Sequence, residues 1–508
     1  MTPFTAEELA GVERAILQDP GVAEALVVPG GAGLSAYVVP SPAAPGARDE
    51  AETAVAEWRT IYNWTYKQAP PAADPRMNVN GWNSSYTGRP IPQDEMNEWV
   101  DATVGQIEAL RPARVLEIGC GTGLLLLRLA QGRERYVGTD ISAVGLAHIR
   151  GALDAAGLDP AKVELVETPA HDFSGLGGGF DVVVLNSVVQ YFPDLEYLLR
   201  VLEGAAQALR PGGVIYLGDL RNLALTDAFA ASVALFKAEP GLSLGQLRER
   251  IRRRAAVDRE LALDPRLFFH LGGRVPSLRR ARAMLRRGRG ANEMSCYRYD
   301  VLLEKVDGPP GAEDLSIGAA DAMDWPAAGL SPAALEKQLT KGLARPLVIR
   351  DIPNARLWAD VNNARALAAA DGAGTVADFL SVRAAATPDG LVDPGPLWED
   401  CLAWGEAHLE WARSGDPAAF DAWFFPRGTD AAVVDALIEW IPSDGGPLGR
   451  FASDPGRQKR QNRLGDRLQA SLKAGLDGRL VPARIVFLET LPRLHDGSPD
   501  LAALASAG

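Results

Sequence analysis

Residues 115–123, Val-Leu-Glu-Ile-Gly-Cys-Gly-Thr-Gly, constrain the fold of this chain more than any other stretch. Strand-forming residues end at Ile118, and Gly119, Gly121 and Gly123 follow before an apolar helical run begins. Glycine at these positions permits a tight turn and lets backbone approach a ligand, because a Cβ would fill the ligand's space. Short apolar strands then alternate with helices: RYVGTD, VELVE, FDVVVLNS and GVIYLGD. Such alternation specifies an α/β fold with a parallel sheet covered on both faces. Glu117 lies at the strand's C-terminal end, where open α/β sheets bind ligands. Asp140 ends the next strand, about twenty residues on, where a carboxylate can accept both hydroxyls of a ribose. Those features are shared by nicotinamide and S-adenosylmethionine sites, and a glycine loop alone can also be a structural turn.

At 508 residues the chain is too long for one ordinary core, and two or three domains are expected. A formal net charge of −13 argues against general affinity for nucleic acid or anionic membrane. Cys120, Cys296 and Cys401 show no paired spacing, which fits buried thiols in a reducing cytoplasm better than disulfides or a metal. The first residues, MTPFTAEELAGVERAI, lack a basic region followed by an apolar stretch, so no secretion signal is expected there. The apolar run GLLLLRLA is broken by Arg128 and too short to span a bilayer.

Residues 11–40 read as helix, strand, turn and strand, followed by a linker-like SPAAPGARDEAE. Aromatic-rich segments follow, EWRTIYNWTYKQ and NVNGWNSSYTGRPIPQDEMNEWV. Beyond the α/β core, an arginine-rich block from Arg248 to Arg289 reads as helical, SCYRYDVLLEKV as strand, and DGPPGAED as a second linker. Next come the strand PLVIRDIP, the apparently helical LWEDCLAWGEAHLEW, and FDAWFFP. A helix, RLGDRLQASLKAGL, and a strand, PARIVFLE, close the pattern.

The segments GWNSSYTGRPIPQDEMNEWV, RVLEIGCGTGLLLLRLA, DVVVLNSVVQYFPDLEYLLRVLEGA, LRPGG and GDLRNL closely resemble the methyltransferase domains built into nonribosomal peptide synthetases. The resemblance runs from about Trp58 to Val306. It implies a class I, Rossmann-like fold with a helical lid, and S-adenosylmethionine as cofactor with S-adenosylhomocysteine as product. By position, Glu117, Gly119, Cys120, Gly121 and Gly123 would line the methionine and adenosine, with Asp140 and Ile141 at the ribose. Ala170 and His171 would stand beside the adenine. Asn186 and Ser187 would face the methionine end, and Gln190 and Tyr191 the transferring methyl. Tyr62 and Tyr66, four apart on a lid helix, are cofactor candidates whose spacing also suits plain core packing. Trp82, Asn83, Ser85 and Tyr86 would close over the cofactor. His171 is otherwise a loop histidine.

The acceptor decides whether a base is needed. An α-amine has a pKa near ~8 and offers a lone pair at physiological pH, whereas a hydroxyl benefits from a positioned base. The five histidines are His148, His171, His270, His408 and His495. Members of the family commonly carry a histidine in the helix after Gly-Asp-Leu-Arg-Asn, where this chain has Ala230. Glu293 and Asp219 are the other candidates for orienting or deprotonating an acceptor, or else partners of Arg298 and Arg221. N-methylation of a carrier-tethered aminoacyl group is therefore expected ahead of O-methylation. The basic block is either a solvated face or a dock for an acidic carrier protein or its phosphopantetheine phosphate, through Arg286, Arg287 and Arg289.

The two ends resemble the halves of the small C-terminal subdomain of an adenylation domain, VERAILQDPGVAEALVVPGGAGLSAYVVP and LGDRLQASLKAGLDGRLVPARIVFLETLPRLHDGSPDL. The large adenylation subdomain is absent, and Ser498 stands where the family's lysine would be. The resemblance thus implies domains at 1–42 and 446–508 (one small α+β subdomain in two halves), a methyltransferase at 52–308, and an α/β extension at 311–445. Within the methyltransferase, 52–100 would be lid, 101–220 core, 221–290 a second lid and 291–306 the final strands. The implied partners are a phosphopantetheinylated carrier protein and neighbouring domains of a peptide or hybrid polyketide synthetase. The alternative from another class is a non-catalytic scaffold within such a module.

Overall fold

The computed structural model describes residues 4–30, 33–41, 47–68, 74–256, 258–306, 321–384, 390–398, 405–429, 434, 446–488, 490–494 and 496–506. Cys401, His495, and the DGPPGAED segment lie outside them, as does the first part of the SPAAPGARDEAE segment. From Ala47 onward that segment is helix, Ala47–Lys67, rather than linker. The chain divides into two compact units, 1–54 with 454–508, and 55–453.

In the smaller unit both ends of the chain contribute to one core. Helix Ala6–Leu17 is started by a Thr5–Glu8 capping box, which satisfies the first free N–H groups. Strands β1 (Val22–Gly30) and β2 (Gly33–Pro40) pair antiparallel, and strand Arg484–Phe487 joins β2 in parallel. Val12, Ile16, Val27, Leu34, Ala36 and Val38 pack with Leu464, Leu468 and Leu472 of helix Arg457–Gly475. Ion pairs Asp19–Arg467 and Glu24–Arg493 tie the same two segments.

The larger unit is built on one eleven-stranded sheet. Its strands are β3 (Arg114–Ile118), β4 (Arg135–Asp140), β5 (Val163–Glu167), β6 (Phe180–Asn186), β7 (Leu209–Arg221), β8 (Leu278–Leu285), β9 (Arg298–Lys305), β10 (Asp321–Asp324), β11 (Leu347–Pro353), β12 (Gly405–Trp411) and β13 (Ala419–Pro426). The order is β10-β11-β13-β12-β8-β9-β7-β6-β3-β4-β5. Strands β5, β4, β3, β6 and β7 run parallel, and β9 returns antiparallel against β7. Val115, Leu116, Val182, Val183, Val184 and Leu185 are all buried, as strands covered on both faces require. The order reverses between β3 and β6, which opens the ligand crevice of a doubly wound sheet at their C-terminal ends.

Two expectations of helix fail, for one reason. RRARAMLRRGRG begins as strand β8, and GEAHLEW is strand β12. In β8 the buried positions Ala281, Ala283 and Leu285 recur every second residue, the period of a strand. The intervening arginines have remote partners: Arg280 pairs with Glu304 at 3.2 Å, and Arg282 faces Glu410 at 3.6 Å and His408. SCYRYDVLLEKV likewise starts in a short helix, Glu293–Tyr297, before β9. Strands β10 to β13 of the extension continue the sheet, with Glu410 of β12 opposite Met284 of β8.

The arginine block therefore cannot act as one docking face. Arg286 is 2% exposed, lies over the Trp99 ring, and donates to Asp300 at 2.7 Å and to Thr103 at 3.0 Å. Arg287 is exposed beside the Trp398 ring. Replacing Arg286 with Ala should destabilise the larger unit by about 3–5 kcal/mol, because Asp300 is left buried without its partner. Arg250→Glu, on an exposed surface, should stay within about 0.5 kcal/mol of the unmodified protein in the same urea titration.

Candidate functional site

A cavity of about 550 Å³ lies over the switch point between β3 and β6. Its floor is the glycine loop. Gly119 has φ +75°, and a Cβ there would sit 2.6 Å from Val188 Cγ2. Gly121 has φ +55°, and its Cβ would come 3.1 Å from the Tyr66 hydroxyl. Both positions need glycine for conformation and for space.

Asp140 is fixed by the backbone around it. One carboxylate oxygen accepts Gly121 N–H at 2.8 Å and the other Ser142 N–H at 2.7 Å. Burial raises its pKa, and those backbone donors pull it back down. Glu117, only 3% exposed, accepts the Tyr136 hydroxyl at 2.6 Å. Burial pushes its carboxyl up to about 8, against the Tyr136 hydrogen bond and with help from Asp140's charge.

The lid helix Ala47–Lys67 closes one side. Trp58, Tyr62 and Tyr66 recur at four-residue spacing and all line the cavity. Tyr191 packs between the first two, 4.6 Å from Trp58 and 5.2 Å from Tyr62 by ring centroids. Asn63, on the neighbouring face, accepts the Ser142 hydroxyl at 2.7 Å, joining the lid to the Asp140 turn. Trp82, Asn83 and Ser85 form the opposite wall, with Trp82 4.7 Å from Trp99.

Cys120, Ile141, Ala170, Asn186, Ser187, Gln190 and Glu293 also line the cavity. Glu293 is engaged: its carboxylate accepts Ser85 N–H at 2.8 Å. Among the described residues, Asn186 Oδ1 and Gln190 Oε1 are buried acceptors with no hydrogen-bond partner.

Four expected site residues stand elsewhere. His171 shares a 3.0 Å hydrogen bond with the Tyr197 hydroxyl and stands outside the cavity lining. Asp219 is fully buried beneath the site. It accepts Ser187 Oγ at 2.6 Å, Arg298 at 2.6 Å and Trp99 Nε1 at 3.2 Å, and so ties together residues of the cavity wall. Gly123 serves packing: a Cβ there would lie 2.9 Å from Ile149 Cγ1. Tyr86 packs against Phe229 and Phe236, with its hydroxyl at Ser232. Sequence reasoning missed Trp58, which extends the tyrosine spacing by one turn, and Phe229 and Tyr297, which carry no local signal; Arg298 and Arg221, named only as ion-pair partners, also line the cavity.

Residues 116–215 match the family model of a methyltransferase domain. The chondramide synthase CmdD of Chondromyces crocatus is 35% identical over 523 residues, 98% of this chain and 13% of that protein. A probable non-canonical nonribosomal peptide synthetase, CymA of Salinispora arenicola, is 32% identical over 507 residues, 97% of this chain and 6% of that protein. Magnesium protoporphyrin IX methyltransferase ChlM of Synechocystis PCC 6803, solved with S-adenosylhomocysteine, is 17% identical over 50% of this chain and 100% of that chain, with TM-score 0.33. The class is thereby defined: an S-adenosylmethionine-dependent methyltransferase of the class I, Rossmann-like fold. Over nearly its whole length the chain is similar to segments of nonribosomal peptide synthetases, and it spans only a small part of those relatives.

The residues present fit that cofactor. Open glycine backbone borders the cavity, Asp140, held by Gly121 and Ser142 N–H, would accept the ribose hydroxyls, and the orphan acceptors Asn186 Oδ1 and Gln190 Oε1 suit cationic or N–H groups. Among the described residues, no helix is long and apolar enough to cross a membrane.

Asp140→Ala, which removes the ribose acceptor and frees Gly121 and Ser142 N–H, should weaken S-adenosylmethionine binding by roughly 100-fold or more in titration calorimetry. Glu117 gives a pH signature. Its folded pKa, about 8, lies above the ordinary 4.5, so the folded protein retains a proton that the unfolded chain releases. Its contribution is complete below 4.5 and is lost as pH rises through about 8. Thermal melts without cofactor should fall across that window, and Glu117→Gln should flatten the fall.

Proposed function

We propose that this methyltransferase transfers a methyl group to the α-nitrogen of an aminoacyl group tethered to a carrier protein. The observation that carries the reading is Gln190: 2% exposed, lining the cavity, with an unpartnered Oε1. A carboxamide oxygen can accept an N–H from a neutral amine and so aim its lone pair, but it cannot take up a hydroxyl proton. The carboxylates nearest the transfer region are committed. Asp219 is tied to Arg298 and Ser187, Glu293 to Ser85, and Glu260 to Arg221 at 3.0 Å.

When bound, S-adenosylmethionine supplies an electrophilic methyl on its sulfonium. The protein's part is then proximity and orientation. The Tyr62 and Tyr191 rings meet edge to face, which shapes the aromatic side of the cavity. Trp58, Tyr62 and Tyr191 exclude water from the region beside Gln190. Arg254, exposed yet lining the cavity, marks a basic approach for a carrier's phosphate-bearing arm. The synthetase relatives support such a tethered substrate.

The smaller unit fits the role of an adenylation-type frame without adenylation chemistry. Its two halves share one core, and Ser498, standing where the family's lysine would be, turns back on Asp496 in an exposed turn.

Carriers loaded with amino and hydroxy acids, incubated with cofactor and read by intact-protein mass spectrometry, test the proposal. The aminoacyl carriers should gain one methyl; methylation of the hydroxyacyl carriers alone would favour the O-methyl alternative. The rate should rise with pH, pass half its maximum near ~8 where half of the amine is neutral, and level off about one unit above. Gln190→Ala should lower kcat/KM by roughly 10- to 100-fold, the loss of one buried hydrogen bond in the transition state.

A further inference from the structure

The cavity has two differently built ends. Glu117, Gly119, Gly121, Asp140 and Ala170 come from the C-terminal ends of parallel strands and their loops. At the other end Leu225, Thr226, Phe229, Met294 and Tyr297 supply an apolar wall from helices beyond β7. The Phe229 and Tyr297 rings meet there, centroids 4.8 Å apart.

That second wall is secured from the extension. The Tyr297 hydroxyl donates to Asp360, on helix Trp358–Ala369. This helix packs along Thr226–Phe236, the helix that carries Phe229. Leu367 and Val376 share an apolar cluster with Ala231, Leu244 and Leu247. An ionised carboxylate is acceptor-only, so the tyrosine proton has one direction and the buried ring is held in place. The extension is attached by other means as well. Strand β12 pairs with β8, and Arg356 binds both Asp393 and the Gly288 carbonyl. Asp360 is therefore not needed to keep the extension in place.

We propose that Asp360 is a positioning residue for substrate selection: through Tyr297 and Phe229, the extension sets which acyl side chains the cavity admits. The inference rests on the tethered-aminoacyl reading given above. An apolar wall discriminates by shape, and one methylene more or less changes kcat/KM by about 10-fold or more. A tyrosine freed from Asp360 can shift, and a pocket fitted to one size becomes tolerant of others.

The test uses the full chain with carriers bearing alanyl, leucyl and phenylalanyl groups. Asp360→Ala and Tyr297→Phe should each change the ratio of kcat/KM between best and worst substrate by roughly tenfold. Cofactor affinity should stay unchanged, and Asp360→Asn, whose carbonyl still accepts the tyrosine proton, should restore the original ratio. An unchanged ratio in folded Asp360→Ala would overturn the inference. Should that variant fail to fold, an unchanged ratio in Tyr297→Phe overturns it equally. If the unmodified protein methylates none of the carriers, the aminoacyl reading fails and the inference falls with it.

Discussion

A single buried carboxylate organises this site. Asp219 sits at φ +60°, a conformation uncommon outside glycine, and accepts bonds from Trp99, Ser187 and Arg298. Its own N–H donates to Asp300, which in turn binds Arg286. Two acids thus face two arginines in the interior, and the charges balance. Burial opposes the charge on Arg298, but Asp219 overcomes it and keeps the guanidinium protonated. A network of this kind is costly to break at one member, because the remaining charge has no water to turn to. It spans the lid-side helix Gln93–Ala109, the ends of β6 and β7, and the start of β9.

This arrangement has a chemical consequence. With Asp219 tied to Arg298 and His171 turned to Tyr197, the cavity beside Gln190 offers aromatic rings, an uncharged acceptor, and acids that are already engaged: Glu293 by Ser85 N–H, and Asp258 and Glu260 by Arg221. Such a surface does little for an alcohol, whose proton must leave as it reacts. It suits an amine that arrives neutral and needs only aim. On the proposed reading, the extension would add the wall against which the rest of an acyl group lies. Cofactor binding and acceptor selection would then be divided between two parts of one sheet: the parallel strands, and elements secured by the added strands.

The glycine loop, Asp140 and the lid tyrosines were legible because their signals are local, carried by fixed short spacings. The placement of Asp219 was legible only in part: the sequence offered Arg298 as an ion-pair partner, which the structure shows, but not Ser187 or Trp99. Trp99, Ser187 and Arg298 lie 120, 32 and 79 residues from it, and no spacing announces such a meeting. Strands β8 and β12 were misread because charged residues alternate with small or aromatic ones, and their partners Glu304, His408 and Glu410 are remote. A strand with arginines on one face looks helical until the acids opposite it are known. The extension's continuation of the sheet is likewise a non-local pairing, and the shared wall at Tyr297 follows only from it.

Whether Asp219 is architecture or a base can be decided with the isosteric Asp219→Asn variant. The measurement is its affinity for S-adenosylmethionine by titration calorimetry, taken beside the rate at saturating cofactor. The account predicts that binding weakens by about tenfold or more as Ser187 and Arg298 lose their anchor, with the saturated rate changed far less. Unchanged affinity with a collapsed rate would contradict it and return Asp219 to the role of general base.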